Sequence, residues 1–420
     1  MLRRIAFWIA KNQHNSKGVI SRHFDRVSIW WRLRYDPLLA PMTTGRPLDK
    51  PVGTLASRGG GSVAPAQGHG GLQSGAAGLR AERSRLSGYR PAPPRPVAHR
   101  FAPLFAALDL GTNNCRLLVA RPAGPSFRVV DAFSRIVRLG EGMTATGALS
   151  AEAISRTLDA LKICADKIAA RNIAEGRYVA TEACRQAVNC EMFVARVREE
   201  TRLDIEIISS TEEARLVVAG CAPLLNPRIP YAIVFDIGGG STEIVWLRLM
   251  GPQNRRRRPH IIGSISLPFG VVTLTDRFGG AEVSSATYRA MVAEAVAALA
   301  PFERAHELLR HVRTGRVQML GSSGTVTTLA GIHLALPRYT RALVDGSVLT
   351  FEQISTVSAR LAGLDLAGRA ANPCVGRERA DLVVSGCAIL DAICKTWPVG
   401  HLRVADRGVR EGILFDLMQA

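Results

Sequence analysis

The chain has no apolar run near the ~20 residues that a membrane-spanning helix needs, which excludes a helical integral membrane protein. No cysteine pair has CxxC spacing, and no histidines cluster at zinc-finger spacing, so a zinc module or a dithiol redox motif is excluded. The eight cysteines (Cys115, Cys164, Cys184, Cys190, Cys221, Cys374, Cys387 and Cys394) lie mostly in apolar or helical context and read as buried free thiols. That suits a reducing, cytoplasmic setting. A secretory signal of ordinary form is also lacking. Arg3 and Arg4 precede only the short run Ile5–Ala10, and Lys11 follows at once.

Acidic residues are scarce at the start. Residues 1–100 hold 17 Lys+Arg against 4 Asp+Glu, so most of the formal net charge of +19 belongs to that stretch. The basic balance therefore does not mark the remainder as a specific nucleic-acid binder. A positive field attracts any anion, a phosphate polymer included. From Gly53 to Pro96 the chain is rich in Gly, Ala, Ser, Pro and Arg and shows no helical or strand period, which reads as disorder. Residues 19–40, with Trp30, Trp31 and Tyr35 among arginines, admit an amphipathic helix on a membrane surface. A poorly ordered extension is the reading the composition favours, and Met42 is an alternative start.

Order is expected from residue 101. Leu104–Leu108 reads as a strand, Asp109–Asn114 as a turn and Cys115–Ala120 as a strand. A helix over Ala151–Arg171 follows, then strands at Tyr178–Thr181 and Ile205–Ile208, and a helix over Glu212–Gly220. The breaker-rich stretch Asn226–Pro230 divides a first lobe, 101–228, from a second, 229–410, with 411–420 expected to complete the first. Arg255–Arg258 reads as a surface hairpin tip. One domain length after Leu104-Phe-Ala-Ala-Leu-Asp109-Leu-Gly-Thr-Asn comes Ala232-Ile-Val-Phe-Asp236-Ile-Gly-Gly-Gly-Ser241. Each is an apolar strand, then Asp, an aliphatic residue, Gly and small polar residues, so two related lobes should each present one loop.

The loops suggest phosphate chemistry. Gly111 permits close backbone approach, and successive N–H groups there form an anion-binding nest, with Thr112, Asn113 and Asn114 adding short polar groups. An ordinary Asx hairpin turn fits those residues equally well. Both flanks are strands, so the loop is neither a Walker A nor a Rossmann turn, which open helices. The second loop, Asp236 to Glu243, is more specific. Gly238, Gly239 and Gly240 cost backbone entropy that a simple turn does not require, and Ser241 and Thr242 follow. Asp236 and Glu243 are hard carboxylates suited to Mg²⁺, although Glu243 also reads as an outward strand residue. A third cluster, Gly321-Ser322-Ser323-Gly324-Thr325, precedes a helix over Val326–Leu334 and reads as an anion site or a plain N-cap. Glu213 is a candidate base for water attack on phosphorus. Ser210 with Glu213 also fits an S-x-x-E capping box, and Glu212 competes for the base role. Arg185 reads as a phosphate grip or as a solvated helix face.

Taken in order, these motifs resemble the exopolyphosphatase / guanosine pentaphosphate phosphohydrolase (Ppx/GppA) family from about Ala106 to Met418. The carriers are Ala107-Leu-Asp-Leu-Gly-Thr-Asn113, Ala180-Thr181 with Arg185, Ile207 to Leu216, Val234 to Glu243, Gly321 to Thr325, and Ala405 to Gly412. Single motifs recur in actin-like ATPases and sugar kinases; the ordered set is specific. The resemblance implies an actin-like α/β fold of two ribonuclease-H-like lobes, a cleft between them, phosphate bound by both glycine loops, and Glu213 as catalytic base. It implies Mg²⁺ held by Asp236 and Glu243, and terminal phosphate removed from polyphosphate or guanosine pentaphosphate. The chain stops soon after Arg410-Glu-Gly412 and matches a short form without a C-terminal helical domain. Asn114 and Cys115 depart from many members, which carry Ser and a different following residue. A homodimer is one option for its assembly. A non-catalytic actin-like nucleotide-binding module is the alternative function, and a sugar kinase a weaker one.

Overall fold

A computed structural model describes residues 102–419, apart from 252 and 254–257. The basic extension and most of the Arg255–Arg258 tip lie outside the described residues. Arg258 is described, and it pairs with Asp416 at 3.0 Å.

Two sheets carry the fold. The first contains β1 (Leu104–Leu110), β2 (Asn114–Ala123), β3 (Ser126–Ile136), β4 (Ile173–Ala180) and β5 (Glu206–Ile207) in the order β3-β2-β1-β4-β5. The second contains β6 (Tyr231–Ile237), β7 (Thr242–Arg248), β8 (His260–Leu267), β9 (Val317–Ser322), β10 (Val348–Thr350) and β11 (His401–Ala405) in the order β10-β11-β9-β6-β7-β8. Each begins with an antiparallel three-strand meander, and two further strands run parallel beyond its first strand. The echo seen in sequence is thus an echo of topology, with β10 as an addition to the second sheet. The fold is actin-like.

The expected elements differ from the observed ones mainly at their ends. β4 starts at Ile173 rather than near Tyr178, because its first half, Ile173-Ala-Glu-Gly-Arg, is largely exposed and shows no apolar alternation. The first helix ends at Ala169, its N-cap Ser150 accepting from the Ala153 amide.

Three cores hold this frame. Leu108, Leu110 and Leu117 of the first sheet pack against Leu158, Leu161 and Phe193 from helices Ala151–Ala169 and Cys190–Thr201. Phe235 and Trp246 of the second sheet share a core with Leu299 and Trp397, alongside helices Ser285–His306 and Val383–Thr396. Between the sheets, helices Ser210–Cys221 and Val409–Leu417 bury Leu216, Val217, Ile413 and Leu414 with Ala107 and Val179 of one sheet and Val234 and Val245 of the other. These two helices cross backbone to backbone. A Cβ on Gly220 would sit 2.2 Å from the Gly408 carbonyl oxygen, and one on Gly412 would sit 2.1 Å from that of Leu216. Glycine is required at both positions by this approach. All eight cysteines are buried and free. Among the described residues, no helix is long and apolar enough to cross a membrane.

Candidate active site

The β1–β2 and β6–β7 turns have the same closure. The Gly111 amide donates to the Asn114 carbonyl at 2.9 Å, and the Gly238 amide donates to the Ser241 carbonyl at 2.9 Å. The two turns meet. A Cβ on Gly239 would lie 3.0 Å from the Asn113 amide nitrogen, and one on Gly240 would lie 2.6 Å from Thr112 Oγ1. A cavity of about 540 Å³ opens beside this contact. Gly111–Asn114, Gly238–Ser241 and Ser322–Thr325 line it, together with Asp109, Asp236 and Glu213. Three polar atoms of the first loop, Thr112 Oγ1, Asn113 Oδ1 and Asn114 Oδ1, are buried with no hydrogen-bond partner among the described residues. Buried polar groups are rarely left so, and a ligand in the cavity is the natural partner.

Glu213 is aimed there by a cap that the sequence misassigns. The N-cap of helix Ser210–Cys221 is Ser209, whose Oγ accepts from the Glu212 amide at 3.2 Å. The expected Ser210–Glu213 capping box is therefore corrected by one residue. Glu212 sits at the third helical position and spends its carboxylate on Arg177 and Arg215, which hold its pKa down to about 2 with the Arg215 hydrogen bond foremost. That removes Glu212 as a competing base. Glu213 is 8% exposed, and its Oε2 accepts from Arg185 Nη1 at 2.8 Å. Burial pushes its pKa well up, and the Glu243 charge adds to the rise against the pull of Arg185.

Four expected site residues stand elsewhere. Arg185 is not part of the cavity wall. Its guanidinium donates to Glu182 at 2.6 and 3.0 Å, to the Ile208 carbonyl at 3.0 Å and to Glu213, so it braces the Glu213 carboxylate. Gly321 lies inside β9, where a Cβ would meet the Phe235 ring at 2.6 Å, and it serves packing. Thr242 is fully buried and donates to the Phe269 carbonyl at 2.9 Å. Glu243 is 2% exposed, away from the wall, and its Oε1 accepts from Ser241 at 2.6 Å and Ser266 at 2.9 Å. It anchors the Ser241 hydroxyl here, two residues along β7 from the loop. In the third cluster, Ser323 caps helix Gly324–His333 by accepting from the Val326 amide, and Ser322 donates to the Arg407 carbonyl at 2.6 Å.

Asp109 and Asp236 end β1 and β6 and open onto the cavity. Burial raises the pKa of both; Arg116 and Arg410 oppose the rise at Asp109, while Glu243 reinforces it at Asp236. Arginines complete the wall: Arg116, Arg379 and Arg410, with Arg341 and Arg407 beside them. Arg341 pairs with Glu411 at 2.9 Å and Arg407 with Asp345 at 2.8 Å. Arg116 and Arg379 have no carboxylate within ion-pair distance among the described residues. Burial lowers the Arg379 pKa, with Arg116 adding to the effect, as expected where cations crowd without counter-ions. Sequence reasoning missed these cations as site residues. Arg116 was within reach, since it shares a β2 face with Asn114 at the two-residue strand period. Arg379, far along the chain, had no local signal.

Facing glycine loops, buried carboxylates and arginines without ion-pair partners among the described residues line the cleft of a protein of the actin-like class. The chain belongs to the Ppx/GppA phosphatase family, which it matches over residues 118–420. It is 33% identical over 321 residues to a guanosine-5'-triphosphate,3'-diphosphate pyrophosphatase of Aeromonas hydrophila, and 32% identical to that of Aeromonas salmonicida. These matches cover 76% of the chain and 60% of each relative, so the chain spans only part of their length. Among solved structures, an Aquifex aeolicus Ppx/GppA family member is similar at 27% identity and a TM-score of 0.61, over 76% of this chain and 98% of that one. An exopolyphosphatase from Cytophaga hutchinsonii shares the fold at a TM-score of 0.67 and 24% identity, over 75% of this chain and 98% of that one.

Proposed function

We propose that the chain is a phosphohydrolase that releases terminal phosphate from inorganic polyphosphate or guanosine pentaphosphate by water attack in the cavity between its lobes. The observation that carries this reading is Glu213: a buried carboxylate on the cavity wall, with one oxygen fixed by Arg185 and Oε1 accepting from no described residue. In this scheme Oε1 orients a water and takes its proton. The water oxygen forms a bond to the terminal phosphorus, and the P–O bond to the bridging oxygen breaks. That oxygen keeps the electron pair as the end of the shortened chain. The raised pKa of Glu213 brings it nearer to the working pH that favours a general base. Amides of the glycine loops and the guanidinium groups of Arg116, Arg379 and Arg410 supply the opposing charge for the phosphates.

The donor set fits a hard divalent cation. Asp109 and Asp236 bring carboxylates with no ion-pair partner among the described residues, and Asn113 and Asn114 bring orphaned oxygens. Asp236 with Asp109 would hold Mg²⁺, and the ion would neutralise phosphate charge there. The name of a relative, a guanosine-5'-triphosphate,3'-diphosphate pyrophosphatase, supports guanosine pentaphosphate, and an exopolyphosphatase-like protein of solved structure, 27% identical, supports polyphosphate. The test is orthophosphate release from each, with and without Mg²⁺, by wild type and Glu213→Gln. General-base assistance is worth roughly 10²–10⁴-fold, so the variant should fall by that factor while remaining folded. Undiminished release would remove Glu213 from the mechanism. Nucleotide binding without turnover by wild type would favour a regulatory module.

A further inference from the structure

The segment after β3 is tied to the first phosphate loop. The Val137 and Arg138 amides both donate to the Asn113 carbonyl, at 2.9 and 3.1 Å, and the Gly140 amide donates to that of Thr112 at 3.0 Å. Arg138 takes a left-handed backbone, with φ of 47°, a conformation uncommon for a side-chain-bearing residue and kept only where the surroundings hold it. Arg156 supplies part of that hold, donating to the Val137 carbonyl at 3.1 Å and pairing with Glu141 at 2.8 Å. The effect is to aim the Arg138 side chain out of its own lobe.

It reaches the other lobe beside Arg379. Nη1 and Nη2 of Arg138 donate to the two oxygens of Asp381 at 2.8 and 3.0 Å, and Nη2 also donates to the Glu378 carbonyl at 3.0 Å. The segment that receives it is itself rigid. Arg369, 1% exposed, donates to the Ala380 and Gly280 carbonyls at 3.0 and 2.8 Å. Arg379, two residues before Asp381, places Nη1 3.7 Å from where a Cβ on Gly324 would stand, on the cavity wall. A two-pronged pair thus joins two stiff segments, one fastened to the first phosphate loop and the other carrying an uncompensated arginine.

We propose that Arg138 and Asp381 form a clamp across the cleft that fixes Arg379 opposite the first phosphate loop, making both positioning residues for a chain of phosphates. The inference rests on the phosphohydrolase reading for its substrate. Arginine is required, because a lysine cannot match both carboxylate oxygens. Both side chains are 28% exposed, so as an isolated surface pair this contact would stabilise the fold little. Its effect falls on the spacing of groups that touch phosphate.

The test uses the full chain and inorganic tripolyphosphate, with binding read by calorimetry and amide hydrogen exchange read over 112–114 and 377–382. Arg138→Met and Asp381→Asn should each weaken binding about tenfold, equivalent to ~1.4 kcal/mol, and raise KM for polyphosphate more than they lower kcat. The double variant should be no weaker than the poorer single, and Arg138→Lys should fall between Arg138→Met and wild type. Both exchange segments should open together in each single variant. Unchanged tripolyphosphate affinity, or losses that add in the double variant, would overturn the clamp. A purely structural pair would lower the melting temperature and leave affinity and the KM-to-kcat split alone. Should Asp381→Asn fail to fold, Arg138→Met and Arg138→Lys carry the comparison. Tripolyphosphate binding without phosphate release by wild type would sink the phosphohydrolase reading and leave the clamp standing.

Discussion

Replacing Gly412 with Ala should strain the helix crossing that lies between the two sheets. The added methyl carbon would stand 2.1 Å from the Leu216 carbonyl oxygen, 2.8 Å from its carbon and 2.9 Å from its Cα. All three are backbone atoms inside a helix, so no side chain can swing away. Relief requires helix Val409–Leu417 to move off helix Ser210–Cys221, which opens the core that holds Leu216, Ile413 and Leu414. Overpacking of this kind costs ~1–3 kcal/mol, and a backbone collision belongs at the upper end. With ~2–4 °C lost per kcal/mol, the melting temperature should fall by roughly 5 °C or more. Thermal unfolding followed by circular dichroism measures this, with Gly363→Ala as control. Gly363 has φ of −79°, and its nearest atom to a new Cβ is 3.5 Å away, so that change should be neutral or stabilising by ~0.4–1 kcal/mol. A Gly220→Ala, Gly412→Ala double variant should lose less than the sum of the singles, since one displacement relieves both contacts. A melting temperature for Gly412→Ala equal to that of the Gly363 control would refute the close crossing.

Asp236→Asn should stabilise the Mg²⁺-free protein above the ordinary aspartate pKa. The folded pKa is raised, by burial and then by Glu243, so the folded state holds the proton more tightly than the unfolded state. Stability from this group is therefore full below the unfolded value and is lost as pH rises through the folded one. Urea midpoints of variant and wild type should coincide in acid and separate towards neutrality; a constant gap across pH would contradict this. Ser209→Ala should cost ~1 kcal/mol through the lost N-cap and Ser210→Ala much less, measured by the same denaturant titration. Equal losses would restore the capping assignment that the structure overturns.

The frame was legible where one residue type had one physical use. Apolar runs ending in Asp and glycine marked β1 and β6, because only such runs form buried strands that stop at a tight polar turn. The third strand of each meander was not legible. β3 alternates weakly and is largely exposed, so its sequence lacks the apolar face that marks a half-buried strand. The capping box failed for a different reason. Ser209 and Ser210 are adjacent, Glu212 and Glu213 are adjacent, and local chemistry fits either pairing; the packing of Ala214, Val217 and Val218 into the central core sets the phase of the helix. The carboxylate partners of Arg185 were not legible, because a guanidinium grips carboxylate and phosphate with the same geometry. Which anion it meets depends on Glu182 and Glu213 arriving beside it, a tertiary fact.

The repeated topology of the two sheets gives each a loop, and one difference between their ladders bears on the charge of the site. In the β1–β2 ladder Asp109 stands opposite Arg116, and in the β6–β7 ladder Asp236 stands opposite Glu243. Two copies of the first arrangement would set a cross-strand arginine near each aspartate. Two copies of the second would place four carboxylates in and behind the cavity wall with no cross-strand cation. The mixed pair instead leaves one cation to serve both lobes: Arg116 lowers the pKa of Asp109 and of Asp236 alike. Glu243, turned to the hydroxyls of Ser241 and Ser266, raises the pKa of Asp236 and of Glu213 without reaching the cavity. Arg116→Met should therefore weaken anion binding and raise the pKa of both aspartates. Carboxyl carbon-13 shifts followed against pH read both, and movement of Asp109 alone would show that the lobes do not share this charge.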